Sequence, residues 1–135
     1  MIDYDNDFDK VRGNNEIILI VEDEKALRDA IKELLIESGY LVITAAGFQE
    51  ALQVFNAEKN VRVVLSDLSL SGANGIDLLE RMNQKRPGVK VILASGFVES
   101  DQRDKMAHKG IDLFLQKPYT PIELLTIVSQ ALSGA

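Results

Sequence analysis

Residues 61–80 read VRVVLSDLSLSGANGIDLLE. The first five positions are almost all β-branched or leucine, a serine and an aspartate follow, and a small polar stretch leads into Ile76, Leu78, Leu79 and, just beyond, Met82. A short continuous apolar run has the makeup of a strand buried on both faces, whereas apolar residues three and four apart mark a helix with one face on a core. The stretch is therefore one strand–turn–helix unit. It carries a carboxylate, Asp67, at the carboxyl end of its strand.

The same unit recurs on both sides. IILIV at residues 17–21 is followed by Ala26, Leu27, Ala30, Ile31, Leu34 and Leu35 at helical spacing, with Gly39 as the stop. Residues 41–45 form a second strand, and residues 49–56 a short helix with Ala51, Leu52 and Phe55 inward. After the quoted stretch, Pro87-Gly88 turns the chain into a fourth strand at 89–94. The helix at 100–109 is the least apolar of the set, which marks a loosely held or partner-facing element. A fifth strand spans 112–116. Pro121 opens the last helix, where Ile122, Leu124, Leu125, Ile127, Val128 and Leu132 supply the apolar side. Five such units predict an α/β fold, a three-layer α/β/α doubly wound sandwich on a five-stranded parallel sheet of flavodoxin-like order 2-1-3-4-5.

Composition narrows the chemistry. The chain has 135 residues, 46% hydrophobic and 27% charged, enough for a core without staples. It has no cysteine and one histidine, which excludes disulfide scaffolds, cysteine-ligated metals, thiol catalysis and multi-histidine sites. His108 reads as a surface residue. The net charge of −6 argues against binding nucleic acid through its phosphates. No secretory signal and no long apolar span is present, so a cytoplasmic protein without membrane contact is expected. Residues 1–15, with four aspartates and no period, are expected to be a flexible acidic leader or linker, and residues 16–135 the folded domain.

In a doubly wound sheet, ligands bind outside the carboxyl ends of strands one and three. Strand one ends in Glu22-Asp23-Glu24 and strand three in Ser66-Asp67. Acids at one strand end would ordinarily be solvated loop residues; carboxylates converging from two strands repel unless a cation or protons intervene. Hard oxygen ligands select Mg²⁺, Ca²⁺ or Mn²⁺. Strand four ends in Ala94-Ser95-Gly96 and strand five in Gln116-Lys117-Pro118, which adds a hydroxyl and an ammonium to the same edge. Metal, lysine and hydroxyl together make a receptor for a phosphoryl group.

At this point the sequence resembles the receiver domain of response regulators in two-component signal transduction. The resemblance covers nearly the whole chain and rests on ILIVEDE, VVLSDLSLSGANGIDLL, VILASG and FLQKPYTPIELL in that order. It implies that Asp67 is the nucleophile that takes a phosphoryl group from a phosphohistidine on a sensor histidine kinase or a histidine phosphotransfer domain. It further implies that Asp23 and Asp67 bind Mg²⁺, with Glu22 acting through water and the backbone carbonyl of Ser69 as a further ligand. Lys117 would pair with a phosphoryl oxygen, Ser95 would swing to bond the phosphoryl group, and Phe114 would follow as the switch aromatic. The helix after strand four, strand five and the last helix would face the partner, and a homodimer is compatible. Among such proteins the chain looks most like receivers carried on hybrid sensor kinases. No output module is expected within these residues, so a stand-alone regulator and the excised receiver of a hybrid kinase both stay open, with signalling to a partner in either case.

Two positions depart from the family pattern: Ser71 stands where proline is common, and Glu22 where aspartate is. Ser69, Ser71 and Gly96 flank the reactive position and are expected to tune access of hydrolytic water. Two other readings use the same residues. A Mg²⁺-dependent phosphohydrolase of the haloacid-dehalogenase kind also has an Asp nucleophile, but resembles Asp-x-Asp, where this chain has Ser69. A pseudo-receiver that only binds partners would usually have lost Asp67 or Lys117, and both are present.

Overall fold

The computed structural model describes residues 11–68, 75–96, 100–111 and 113–133. Strands β1 (Ile17–Val21), β2 (Leu41–Ala45), β3 (Val61–Asp67), β4 (Lys90–Ser95) and β5 (Leu113–Gln116) alternate with helices α1 (Lys25–Glu37), α2 (Phe48–Ala57), α3 (Gly75–Lys85), α4 (Ser100–His108) and α5 (Pro121–Ser133). The strands form one parallel sheet of order β2-β1-β3-β4-β5, as the spacing of the apolar runs predicts.

The central strands β1, β3 and β4 are buried on both faces because their runs are mainly apolar, and pleating sends alternate residues to opposite sides. Ile18, Ile20, Val63, Leu65, Ile92 and Leu115 pack with Ile31 and Leu35 of α1 and Leu124, Leu125 and Val128 of α5. Leu19, Val21, Val64, Val91 and Leu93 pack on the other side with Phe55 of α2, Met82 of α3 and Met106 of α4. The start of α5 is set by a reciprocal cap: the Glu123 N–H donates to Thr120 Oγ1 at 3.2 Å while the Thr120 N–H donates to Glu123 Oε1 at 3.1 Å. That cap fixes where the chain re-enters the fold just after Lys117.

Three expectations need correction. Leu52 is 37% exposed, because Ala51 and Phe55, one helical turn apart, take the inward face of α2 and leave Leu52 beside it. Ala26 and Ala30 are exposed as well; the inward stripe of α1 is the narrower set Leu27, Ile31, Leu34 and Leu35. Finally, the segment expected to be a free leader is docked from residue 11 onward. Val11 is buried in the α1–α5 core, the Gly13 N–H donates to the Ser38 carbonyl at 2.6 Å, and the Asn15 N–H to the Gly39 carbonyl at 2.8 Å. Two glycines permit this approach: Gly39 has φ +99°, and a Cβ on Gly13 would fall 2.5 Å from the Tyr40 ring. A charge-rich composition hid the docking because most of its bonds are backbone to backbone.

Candidate functional site

Parallel register assembles the site. Val21 lies opposite Ser66, so the residues that follow them, Glu22 and Asp67, leave neighbouring strands side by side. Asp67 in turn lies opposite Ala94, and Ser95 opposite Gln116, so Ser95 and Lys117 each stand one step beyond. The four chemistry-bearing residues thus form a staircase along the carboxyl edge of β1, β3, β4 and β5. The Lys117 N–H donates to the Ser95 carbonyl at 2.7 Å and ties the last two together.

Asp67 is only 7% exposed and Glu22 only 4%. Lys117 Nζ sits 2.6 Å from Asp67 Oδ2, with the lysine side chain 30% exposed. An unpaired carboxylate in such a place would cost several kcal/mol, roughly, and the charge-assisted bond offsets part of that. The Glu22 carboxylate makes no ion pair with a described residue. Burial pushes its carboxyl above the ordinary range, Asp23 and Asp67 push it further, and the Glu24 N–H, donating to Oε2 at 3.0 Å, opposes them. Asp23 is exposed at the rim. Gly96 stands open beside Ser95, since a Cβ there would meet nothing within 4 Å. Phe114 is half-buried on β5. Ser69 and Ser71 lie outside the described residues, as do Asn74 and Asp112.

Among the described residues no group of three or more Asp, Glu or His is drawn together as a ready cage. Magnesium does not require one, because it keeps several waters and is commonly held by one or two carboxylates plus phosphate oxygens. The donor set fits that pattern: two adjacent buried carboxylates, one of them pushed toward its proton by burial and, to a lesser degree, by its acidic neighbours, with a third carboxylate at the rim.

Side chains that the motifs do not announce complete the site. Arg28 of α1 donates to the Glu22 carbonyl at 2.9 Å and pins the acidic turn. Its place on the polar side of α1, one and a half turns past Glu22, is a helix-geometry signal that composition alone conceals. Tyr119 lies close enough that Glu22 and Asp67 add to burial in raising its phenol. Ser66 Oγ, fully buried next to the nucleophile position, has no hydrogen-bond partner among the described residues.

Comparison with known proteins decides the family. The model of the response regulator receiver domain matches residues 18–129. The chain belongs to that family. Sporulation initiation phosphotransferase F of Bacillus subtilis is 30% identical over 118 residues, which cover 87% of this chain and 94% of that protein. A cyclic di-GMP phosphodiesterase of Thermotoga maritima is 32% identical over 110 residues, 82% of this chain but only 29% of its own length. The crystal structure of a CheY-like receiver domain protein from Methanospirillum hungatei superposes with a TM-score of 0.81 at 32% identity, covering 89% of this chain and 95% of that one. The receiver domain is therefore a two-component signalling module of flavodoxin-like fold. Receiver domains of response regulators generally use Mg²⁺ and interact with histidine kinases or phosphotransfer proteins. Among the described residues no helix is long and apolar enough to cross a membrane.

Proposed function

We propose that this receiver takes a phosphoryl group from a phosphohistidine onto Asp67 and signals through the resulting change at β4 and β5. The observation that carries the reading is the buried Asp67 carboxylate held at 2.6 Å by Lys117 beside a second buried carboxylate, Glu22. An Asp67 carboxylate oxygen attacks phosphorus, the phosphorus–nitrogen bond breaks, and the imidazole leaves with that electron pair. Glu22, Asp67 and the rim residue Asp23 would hold Mg²⁺, whose charge neutralises phosphoryl oxygens when it is bound. Lys117 pairs with the Asp67 carboxylate and supplies a donor for a phosphoryl oxygen. Ser95, one step along the same edge, supplies the hydroxyl that bonds the added group. Its movement would be transmitted to Phe114 on the neighbouring strand.

In this reading the domain turns over only its own phosphoryl group, in the cytoplasm, and presents α4, β5 and α5 to its partner, with a homodimer as one possible assembly. Ser69, Ser71 and Gly96 set the access of water to the phosphorylated residue.

Incubation with a small acyl phosphate and Mg²⁺, followed by intact mass, tests the assignment. Wild type is expected to gain one phosphoryl group, and Asp67→Asn none. An adduct that persists on Asp67→Asn, or forms equally well with the metal chelated, overturns it.

A further inference from the structure

Helix α4 is held very unevenly. Ser100, Asp101, Arg103, Asp104 and Lys105 are exposed, and among the described residues Met106 is the one it buries in the α2–α3–α4 core. Its carboxyl end is fastened by more than Met106. The Lys109 and Gly110 N–H groups close the last turn on the Met106 and Ala107 carbonyls, and Lys109 Nζ reaches Glu80 of α3 at 3.3 Å. In the first half, Arg103 reaches out of the helix and places its guanidinium carbon 5.3 Å from the centroid of the Phe114 ring. A cation in this position is attracted by the negative face of the ring, and the contact is of the exposed kind, with a half-buried aromatic under an exposed arginine. Phe114 lies opposite Leu93 on β4, two residues before Ser95, so Arg103 bears on the aromatic next to the proposed phosphoryl-sensing strand end.

We propose that Arg103 is a positioning residue for Phe114. Its guanidinium holds the ring in its present half-buried place and fastens the first half of α4 to β5, until phosphorylation draws the ring away and releases both. This rests on the reading of Asp67, Ser95 and Phe114 given above. The physical content is a two-state balance. An arginine that contacts the ring in one position and not in the other favours the first, and an exposed cation–π contact corresponds to a shift of about two- to five-fold in the ratio of the two positions. Breaking the contact frees an arginine and loosens an element whose other anchors among the described residues sit at its carboxyl end. Signal at Asp67 thereby becomes mobility at the partner-facing helix.

The test follows the Phe114 ring by NMR, with its resonance assigned from Phe114→Leu, in wild type, Arg103→Ala, Arg103→Gln and Arg103→Lys, before and after a small acyl phosphate with Mg²⁺. Arg103 is exposed, so folding is expected to be unaffected, and the thermal midpoint checks this. Before phosphorylation, Arg103→Ala and Arg103→Gln are expected to move the resonance part of the way toward its phosphorylated position. Arg103→Lys, which keeps the charge, is expected to move it less. Amide exchange in residues 100–105 should rise in the Ala and Gln variants and in phosphorylated wild type alike. A wild type that is phosphorylated and moves Phe114, with all three Arg103 variants unchanged, overturns the role of Arg103 alone. A wild type that takes no phosphoryl group overturns the reading of Asp67 on which it rests.

Discussion

At the amino end of the sheet, residues 11–15 lie against the α1–β2 corner with backbone bonded to backbone. The Leu41 N–H also donates to the Glu16 carbonyl at 3.0 Å, and the Tyr40 ring closes over Gly13. At the carboxyl end, two buried carboxylates sit side by side, one balanced by Lys117 and the other pushed toward its proton, next to a buried hydroxyl that bonds to no described residue. One end is optimised for stability. The other holds groups that folding alone would not favour, which is the usual mark of a functional site, where stability is given up for chemistry. The contrast predicts that substitutions at the amino end destabilise, whereas at the carboxyl end removing the buried charge of Asp67 stabilises.

The largest effect should come from the amino end. In Gly39→Val a Cβ would lie 2.6 Å from the Gly13 carbonyl oxygen at a φ of +99°, so strain and clash together should cost about 3 kcal/mol, read as a lower urea midpoint. A variant as stable as wild type would mean that the docked segment simply lifts away. Next, Lys117→Ala leaves the Asp67 carboxylate buried without its ion partner and should cost about 1.5 kcal/mol, discounted because the lysine is partly exposed. Asp67→Asn should go the other way. It removes repulsion with Glu22 and lets Lys117 return to water, so the thermal midpoint in a metal chelator should rise, by roughly 1 kcal/mol in stability. A loss instead would show that the carboxyl end is built for stability as well.

The smallest effect at neutral pH is expected from Tyr40→Phe, which gives up a long 3.4 Å bond to the Val11 carbonyl and should cost less than about 0.5 kcal/mol. It becomes visible in alkali. Burial, with a contribution from Glu16, pushes the Tyr40 phenol up to about 12, from 10.0 in an exposed tyrosine. The raised folded value means that its stabilising effect is complete below pH 10, where both states are neutral, and is lost as pH rises toward 12, because the unfolded chain ionises first. Wild type should therefore lose stability across that window, and Tyr40→Phe should lose less, as measured by urea unfolding at stepped pH.

Much of the carboxyl end is legible in the chain. Asp67 and Lys117 follow apolar runs directly, and a parallel sheet with right-handed crossovers has few ways to arrange five such runs. The residues that do not announce themselves act through the chain's return path. Arg28 reads as one more charge on a solvated helix face, yet it holds the Glu22 carbonyl. Arg103 reads as part of a polar helix, yet it covers Phe114. Leu52 fits an inward pattern equally well as its neighbours, and only the final rotation of α2 leaves it outside.

Composition and periodicity by themselves determined the strand and helix alternation, the sheet order and which edge collects acids, a hydroxyl and a lysine, because burial on two faces demands apolar runs whatever the details of packing. Whether Glu22 would be buried against Asp67, whether Lys117 would reach that carboxylate, and where the segment before β1 would rest were decided by register and by close backbone approach. Those depend on distances of a few ångströms between residues far apart in the chain, and no local pattern encodes them.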